Sequence, residues 1–357
     1  MRDLCIRAGR KVYRVIKDGG FDLDRVTTYL APAGGPRWLA ASGFDLALLE
    51  NSVLGRSKPV LLAGSSSGAW RMAAWLQPEP VKSYRTFMEA YLKDSSYQRS
   101  DTPETLLDSM RTLLDAYIED DAVPFALAHR QYRLAVTTAR AKNFAASEIS
   151  FIQRLGVGSA WLFNALNPDY LRLLFERVVF YSGALPPRFC LRQDFCGKTI
   201  PLDSTNFKAA ILASGAIPVV IAGVRDIYGA PRGAYRDGGV FDYHLNHEYT
   251  SREGEVTLFF NHMERIVPGW FDKGLKSRHP PAKILENVLL VHPGAGLVER
   301  LPGRRVPDRE DFVTFIDDPE TRIKNWRRAV DLCAPLGEQF LEAVASGRIR
   351  EVVKMLE

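Results

Sequence analysis

Short apolar runs closed by glycine or proline alternate along this chain with longer stretches of helical spacing. Pro59-Val60-Leu61-Leu62-Ala63 is one such run; carrying no charge, it predicts a buried strand that stops at Gly64. Val26–Leu30, Tyr132–Thr138, Val178–Tyr181, Val256–Phe260 and Val288–Val291 are rich in branched and aromatic residues and predict further strands. Val219–Val224 and Gly233–Tyr235 predict a β-rich pair joined across Tyr228–Arg232. Helical patterns cover Trp38 to about Asn51, Ala69–Leu76, Val81 to about Tyr117, much of 145–176, and a segment from Ser204 through Leu212. Beyond Gly303 the chain is charged and helical, with Phe312, Phe315, Trp326 and Val330 expected to pack back.

Residues 2–17 set Leu4, Cys5, Val12, Tyr13 and Ile16 among six cations and stop at Gly19-Gly20. They read as a basic amphipathic helix, packed on its own domain in preference to a membrane. No repeat, low-complexity tract or linker divides the chain. The expected organisation is one domain over 1–357: a core of about 24–300, a helical insertion of about 80–176, and a helical extension of about 304–357.

Composition narrows the function classes. The chain has 357 residues, 46% of them hydrophobic and 25% charged, which suits a globular protein. No stretch approaches the roughly 20 apolar residues that span a bilayer, and the first seventeen residues are too charged for the centre of a secretory signal. A cytoplasmic protein is expected; Pro268–Lys276, where Trp270 and Phe271 stand among lysines, reads first as a core-facing loop and second as a peripheral membrane contact. The net charge of +5 is spread along the chain without a basic stripe, so no nucleic-acid partner is expected. Cys5, Cys190, Cys196 and Cys333 have no metal-ligand spacing, and neither do the six histidines. No metal or cofactor is expected. Oligomeric state is left open.

The chemistry concentrates at Gly64-Ser65-Ser66-Ser67-Gly68, between a strand and a helix. Strand, tight turn and helix around G-x-S-x-G form a nucleophile elbow, whose central hydroxyl stands clear of the sheet. Ser66 is the candidate nucleophile; an ordinary Gly/Ser turn is the plainer reading. Upstream, Ala31-Pro32-Ala33-Gly34-Gly35-Pro36-Arg37 turns from strand into helix and offers free backbone N–H groups to an anion. It lacks the spacing and lysine of a phosphate loop, and a nucleophile one helix later favours an oxyanion. Asp237-Gly238-Gly239 reads either as a turn or as a carboxylate aimed into a site from a strand end.

Together these stretches resemble the patatin-like phospholipase family. Ala33–Arg37 is similar to its G-G-G-x-[KR]-G oxyanion loop, Gly64–Gly68 to its elbow, and Asp237-Gly238-Gly239 to its D-G-[GA] step. Ala213–Pro218 looks like the A-S-x-A-x-P segment before that step. The likeness spans about 26–245 and departs from the family at Ala33 and Trp38, the latter placed to narrow the acyl pocket.

The resemblance implies a three-layer α/β/α sandwich with a mostly parallel sheet. It also implies a carboxylic ester hydrolase, a phospholipase A or lysophospholipase acting on acyl lipid through an acyl-enzyme. By it, Ser66 and Asp237 form the catalytic dyad, and Gly34, Gly35 and Arg37 supply the oxyanion hole. Trp38, Ser65, Ser67 and Gly238 line the substrate pocket, and Arg37 steadies either a phosphate head group or the loop. Other readings stay open: a Ser66–Asp237–His292 triad, acyl transfer to an alcohol or thiol, and a non-catalytic lipid-binding protein.

Overall fold

The computed structural model describes residues 2–94, 97–147, 149–250 and 252–356. Its strands are β1 (Leu4–Ala8), β2 (Val26–Ala31), β3 (Val60–Ser65), β4 (Tyr132–Ala141), β5 (Phe175–Tyr181), β6 (Lys198–Pro201), β7 (Val224–Arg225), β8 (Ala234–Asp237), β9 (Val256–Phe260), β10 (Val288–Pro293) and β11 (Lys354–Met355). They join one sheet in the order β11-β1-β10-β9-β2-β3-β4-β5-β6, with β8 and β7 branching from β4. The run β10-β9-β2-β3-β4 is parallel throughout.

Those strands are apolar on both faces, as a covered parallel sheet requires. Tyr29, Leu62, Leu134, Leu258 and Leu289 enter one core. Their neighbours Leu30, Ala63, Ala135, Phe259 and Leu290 enter the other. The alternation of adjacent residues between two cores is the two-residue period of a strand. The result is a three-layer α/β/α fold.

In chain order, the α-helices of the first 214 positions among the described residues are α1 (Arg10–Lys17), α2 (Ser42–Glu50), α3 (Ser67–Trp75), α4 (Pro80–Asp94), α5 (Pro103–Asp115), α6 (Val123–Leu127), α7 (Ser150–Leu166) and α8 (Phe207–Ser214). Under them, the buried Asp45 carboxylate of α2 accepts from the Tyr29 and Tyr84 hydroxyls and pairs with Arg71 of α3 at 3.0 Å. One carboxylate thus fastens β2, α2, α3 and α4 together. Arg71 is almost wholly buried, so losing Asp45 would strand a charge in the core.

Three expectations are corrected. Residues 2–17 are two elements, β1 and α1, because Gly9 breaks them; a Cβ there would meet the Leu285 carbonyl oxygen at 1.7 Å. The segment 80–176 is not one helical insertion, since β4 within it is a sheet strand pairing with β3, β5 and β8. Val219–Val224 is mostly turn: Val219 has φ +70°, and only Val224–Arg225 pairs as a strand.

Candidate active site

The register of β4 explains how two residues 171 positions apart come to face each other. β3 runs along β4 until Ser65 lies opposite Thr137. At the next position, β8 arrives from the opposite direction and sets Asp237 opposite Thr138. β5 occupies the other side of β4 over this stretch, so β3 and β8 share a side and meet end to end. Ser66 and Asp237 are the residues at that junction.

The turn at Ser66 is strained, with φ 53° and ψ −131°, and it leaves no room at its flanks. A Cβ on Gly64 would sit 2.5 Å from the Ala69 Cα, and one on Gly68 1.9 Å from the Ala31 carbonyl oxygen. Both glycines are there for space. The Ser66 amide donates to Ser214 Oγ at 2.9 Å, and that hydroxyl donates to the Thr137 carbonyl at 2.7 Å. Ser214 therefore ties the elbow to β4. It belongs to the A-S-x-A-x-P stretch, but nothing local in the sequence assigns it that tie.

Ser66 Oγ donates to Asp237 Oδ2 at 2.6 Å, and the Gly239 amide donates to Oδ1 at 2.7 Å. Burial raises the Asp237 pKa above the ordinary carboxylate range; the bonds from Ser66 and Gly239 and the charges of Arg309 and Lys273 oppose the rise. Lys273 is held down at about 8, first by burial and then by repulsion from Arg37 and Arg309. Arg309 stands near no motif in sequence, and Lys273 falls in the 268–276 stretch, which gives no sign of a place at the site. Both reach the cavity beside Ser66 from distant loops, together with Gly34, Gly35 and Asp237.

The glycine-rich loop arrives from β2, parallel to β3. Gly35 has φ +56°, and a Cβ there would press on Arg309 Cγ at 2.8 Å. The Gly34 and Gly35 amides open a 3₁₀ turn, where the first N–H groups have no acceptor within the helix. The Arg37 amide is instead turned back onto the Gly34 carbonyl at 3.4 Å. Its guanidinium donates to Tyr243 at 2.6 Å and pairs with Asp308, so the side chain braces the loop.

Beyond Ser66 a second cavity, about 770 Å³ including its open mouth, is walled by Trp70, Phe87, Tyr91, Met110, Leu113 and Ile221. Ser67 lines it. Trp38 does not. It is buried behind that wall, stacked on Phe87 with ring centroids 4.6 Å apart, so it supports the pocket without narrowing it. Ser65 points toward Gly238, away from both cavities, and Gly238 itself is pressed against the Thr137 carbonyl. Gly239, one position on, lines the cavity in its place.

His292 stands on β10, three strands from β3 and so about 14 Å away across the sheet. Its Nδ1 bonds the Pro293 carbonyl at 2.9 Å, and its other nitrogen lies 3.9 Å from Glu264. The structure does not bring it to Ser66. The Trp270–Phe271 step does not project outward either. Phe271 is buried, and Trp270 packs against the cluster of Ala33, Tyr243 and Val267. Among the described residues no helix is long and apolar enough to cross a membrane, and no group of side chains has metal-binding geometry.

No family model and no curated protein matches the chain. Solved structures with a similar course include VipD from Legionella pneumophila, at 12% identity over 66% of this chain and 50% of that one, TM-score 0.29. Human GIVD cytosolic phospholipase A2 matches at 13% identity over 95% of this chain and 63% of its own, TM-score 0.38. The same human enzyme with a methyl γ-linolenyl fluorophosphonate inhibitor and terbium chloride matches at 14% identity, 98% and 66% coverage, TM-score 0.35. The chain therefore spans between half and about two thirds of the length of the structures it resembles. Likeness this low carries no inference about chemistry.

Proposed function

We propose that this chain is a serine esterase acting on acyl lipids, with phospholipid or lysophospholipid as substrate and Ser66–Asp237 as its dyad. The observation that carries the reading is the 2.6 Å bond from Ser66 Oγ to a buried carboxylate, at the floor of a cavity shared with Gly34 and Gly35.

In this reading the acyl chain lies against Trp70, Phe87 and Met110, which places the ester carbonyl over Ser66. The Ser66 oxygen attacks the carbonyl carbon while its proton passes to Asp237 Oδ2. A carboxylate in water is a weak base for a hydroxyl, and burial moves Asp237 toward usefulness. The oxyanion faces the Gly34 and Gly35 amides, each worth roughly 3–4 kcal/mol in the transition state. Arg309 and Lys273 add positive potential at the same cavity. The tetrahedral intermediate collapses, the leaving alcohol takes the proton, and Asp237 then deprotonates the water that hydrolyses the acyl-enzyme.

Turnover of p-nitrophenyl esters and phospholipids tests this, with Ser66→Ala as the blank. Asp237→Asn is expected to lower kcat by about 10³ or more, and His292→Ala to leave most of it. Silence in the histidine variant alone would move the function to a triad.

A further inference from the structure

Helix α7 keeps several large apolar side chains on its outer face. The residues it buries fully, Gln153, Gly156, Ala160 and Asn164, are polar or small, while Val157 and Phe163 pack partly buried against the neighbouring apolar cluster. The stripe it shows outward, Phe151, Leu155, Leu162 and Leu166, is apolar, with Trp161 beside it. Phe151 and Leu166 are each 70% exposed. A surface helix ordinarily does the opposite. Of sixteen large hydrophobic side chains exposed among the described residues, nine fall between Phe144 and Leu173.

The buried side is held by specific polar contacts, which fix the helix in this orientation. Gln153 Oε1 accepts from the Val219 amide at 2.9 Å, and Asn164 Nδ2 donates to Asp272 at 2.7 Å. Gly156 lets the backbone close on Ala145, where a Cβ would come within 2.9 Å. Rotating α7 to hide the apolar stripe would strand two amide side chains and pull Val157 and Phe163 off the cluster they pack against. The two braced segments also line the candidate site, through Ile217 and Pro218 on one and Trp270 and Lys273 on the other.

Charge identifies the occupant. Between Ile149 and Leu166 the single charge is Arg154, which is exposed; just beyond, Asp169 is offset by Arg172 at 2.8 Å. The loop braced against Asn164 carries the exposed Lys276, and Arg278, which donates to the Asn164 carbonyl at 3.3 Å and pairs with Asp272 at 3.4 Å. An apolar helical face rimmed by cations matches a bilayer with anionic head groups. A second copy of the chain fits less well, because a two-fold interface would set the same cations against each other. We infer that the α7 face, with Arg154 and Lys276 at its rim, docks this protein on an anionic lipid surface. Lys276 of the 268–276 stretch thus contributes to the surface, while Lys273 and the aromatics stay inside.

The test is independent of turnover, since it uses protein carrying Ser66→Ala. Co-sedimentation is measured with vesicles of phosphatidylcholine alone and of phosphatidylcholine with phosphatidylserine. Binding to the anionic vesicles is expected. Leu155→Asp with Leu162→Asp should weaken it at least tenfold, and Arg154→Gln with Lys276→Gln by about fivefold per cation, with the salt dependence flattened. The altered side chains are exposed, so melting temperatures should stay close to that of the parent. Unchanged sedimentation in both pairs would overturn the inference. So would concentration-dependent dimers in light scattering that the two aspartates abolish, or capture of an acidic protein by this face with no affinity for anionic vesicles.

Discussion

Helices α3 and α7 are both rich in apolar residues, yet they are used in opposite ways. All nine residues of α3 are buried, and it carries the elbow into the core. Helix α7 fully buries only small and polar side chains, with Val157 and Phe163 half-buried beside them, and leaves an apolar stripe outside. Each contains glycine, and the contrast is sharpest there. At Gly68 a side chain has no space; at Gly158, on the outer face of α7, a Cβ would meet nothing within 4 Å. One helix is constrained by everything around it, the other by contacts along one side only.

The comparison breaks most readily at its constrained end. Gly68→Ala forces a methyl group into the Ala31 carbonyl and should destabilise the protein by about 3 kcal/mol or prevent folding. A urea midpoint equal to wild type would mean the elbow is looser than its geometry indicates. Ser214→Ala removes the hydroxyl that links the Ser66 amide to the Thr137 carbonyl. It should cost about 1–3 kcal/mol, and kcat should fall more than KM rises, because the proposed nucleophile loses its position.

A smaller effect concerns charge. In the proposed mechanism Asp237 acts as base only when ionised, and its pKa is raised, so activity should fall with decreasing pH already above the ordinary carboxylate range. Lys273 opposes that rise. Lys273→Met should therefore move the acid limb of kcat/KM to higher pH, and a limb that stays or moves down would remove Lys273 from the electrostatics of the site. At the other helix the expected change is slight and of opposite sign. Gly158→Ala should stabilise by about 0.5–1 kcal/mol through helix propensity alone, read as a small increase in the denaturation midpoint.

The same contrast shows what the sequence discloses. The strand Val60–Ser65, the elbow and the Asp237 step were legible because their causes are local: an uncharged run, two glycines with no room for side chains, and a strand end. What lay beyond reach depended on distant partners. Strand β1 merges with α1 in a cation-rich stretch, although Gly9 between them was a usable break signal. Nothing local says that Trp38 stacks on Phe87 behind the pocket, or that Lys273 and Arg309 converge on Ser66. An apolar helix at 150–166 could be read from composition. Which face it buries is decided by Val219 and Asp272, 66 and 108 residues away from their partners.

The proposed chemistry is tested most directly by intact-mass analysis after exposure to a fluorophosphonate. One adduct, mapped to Ser66, is expected in the wild-type chain and in His292→Ala at the same rate, with labelling slowed by about 10³ in Asp237→Asn. Labelling that ignores Asp237, or an adduct on another residue, would contradict the dyad.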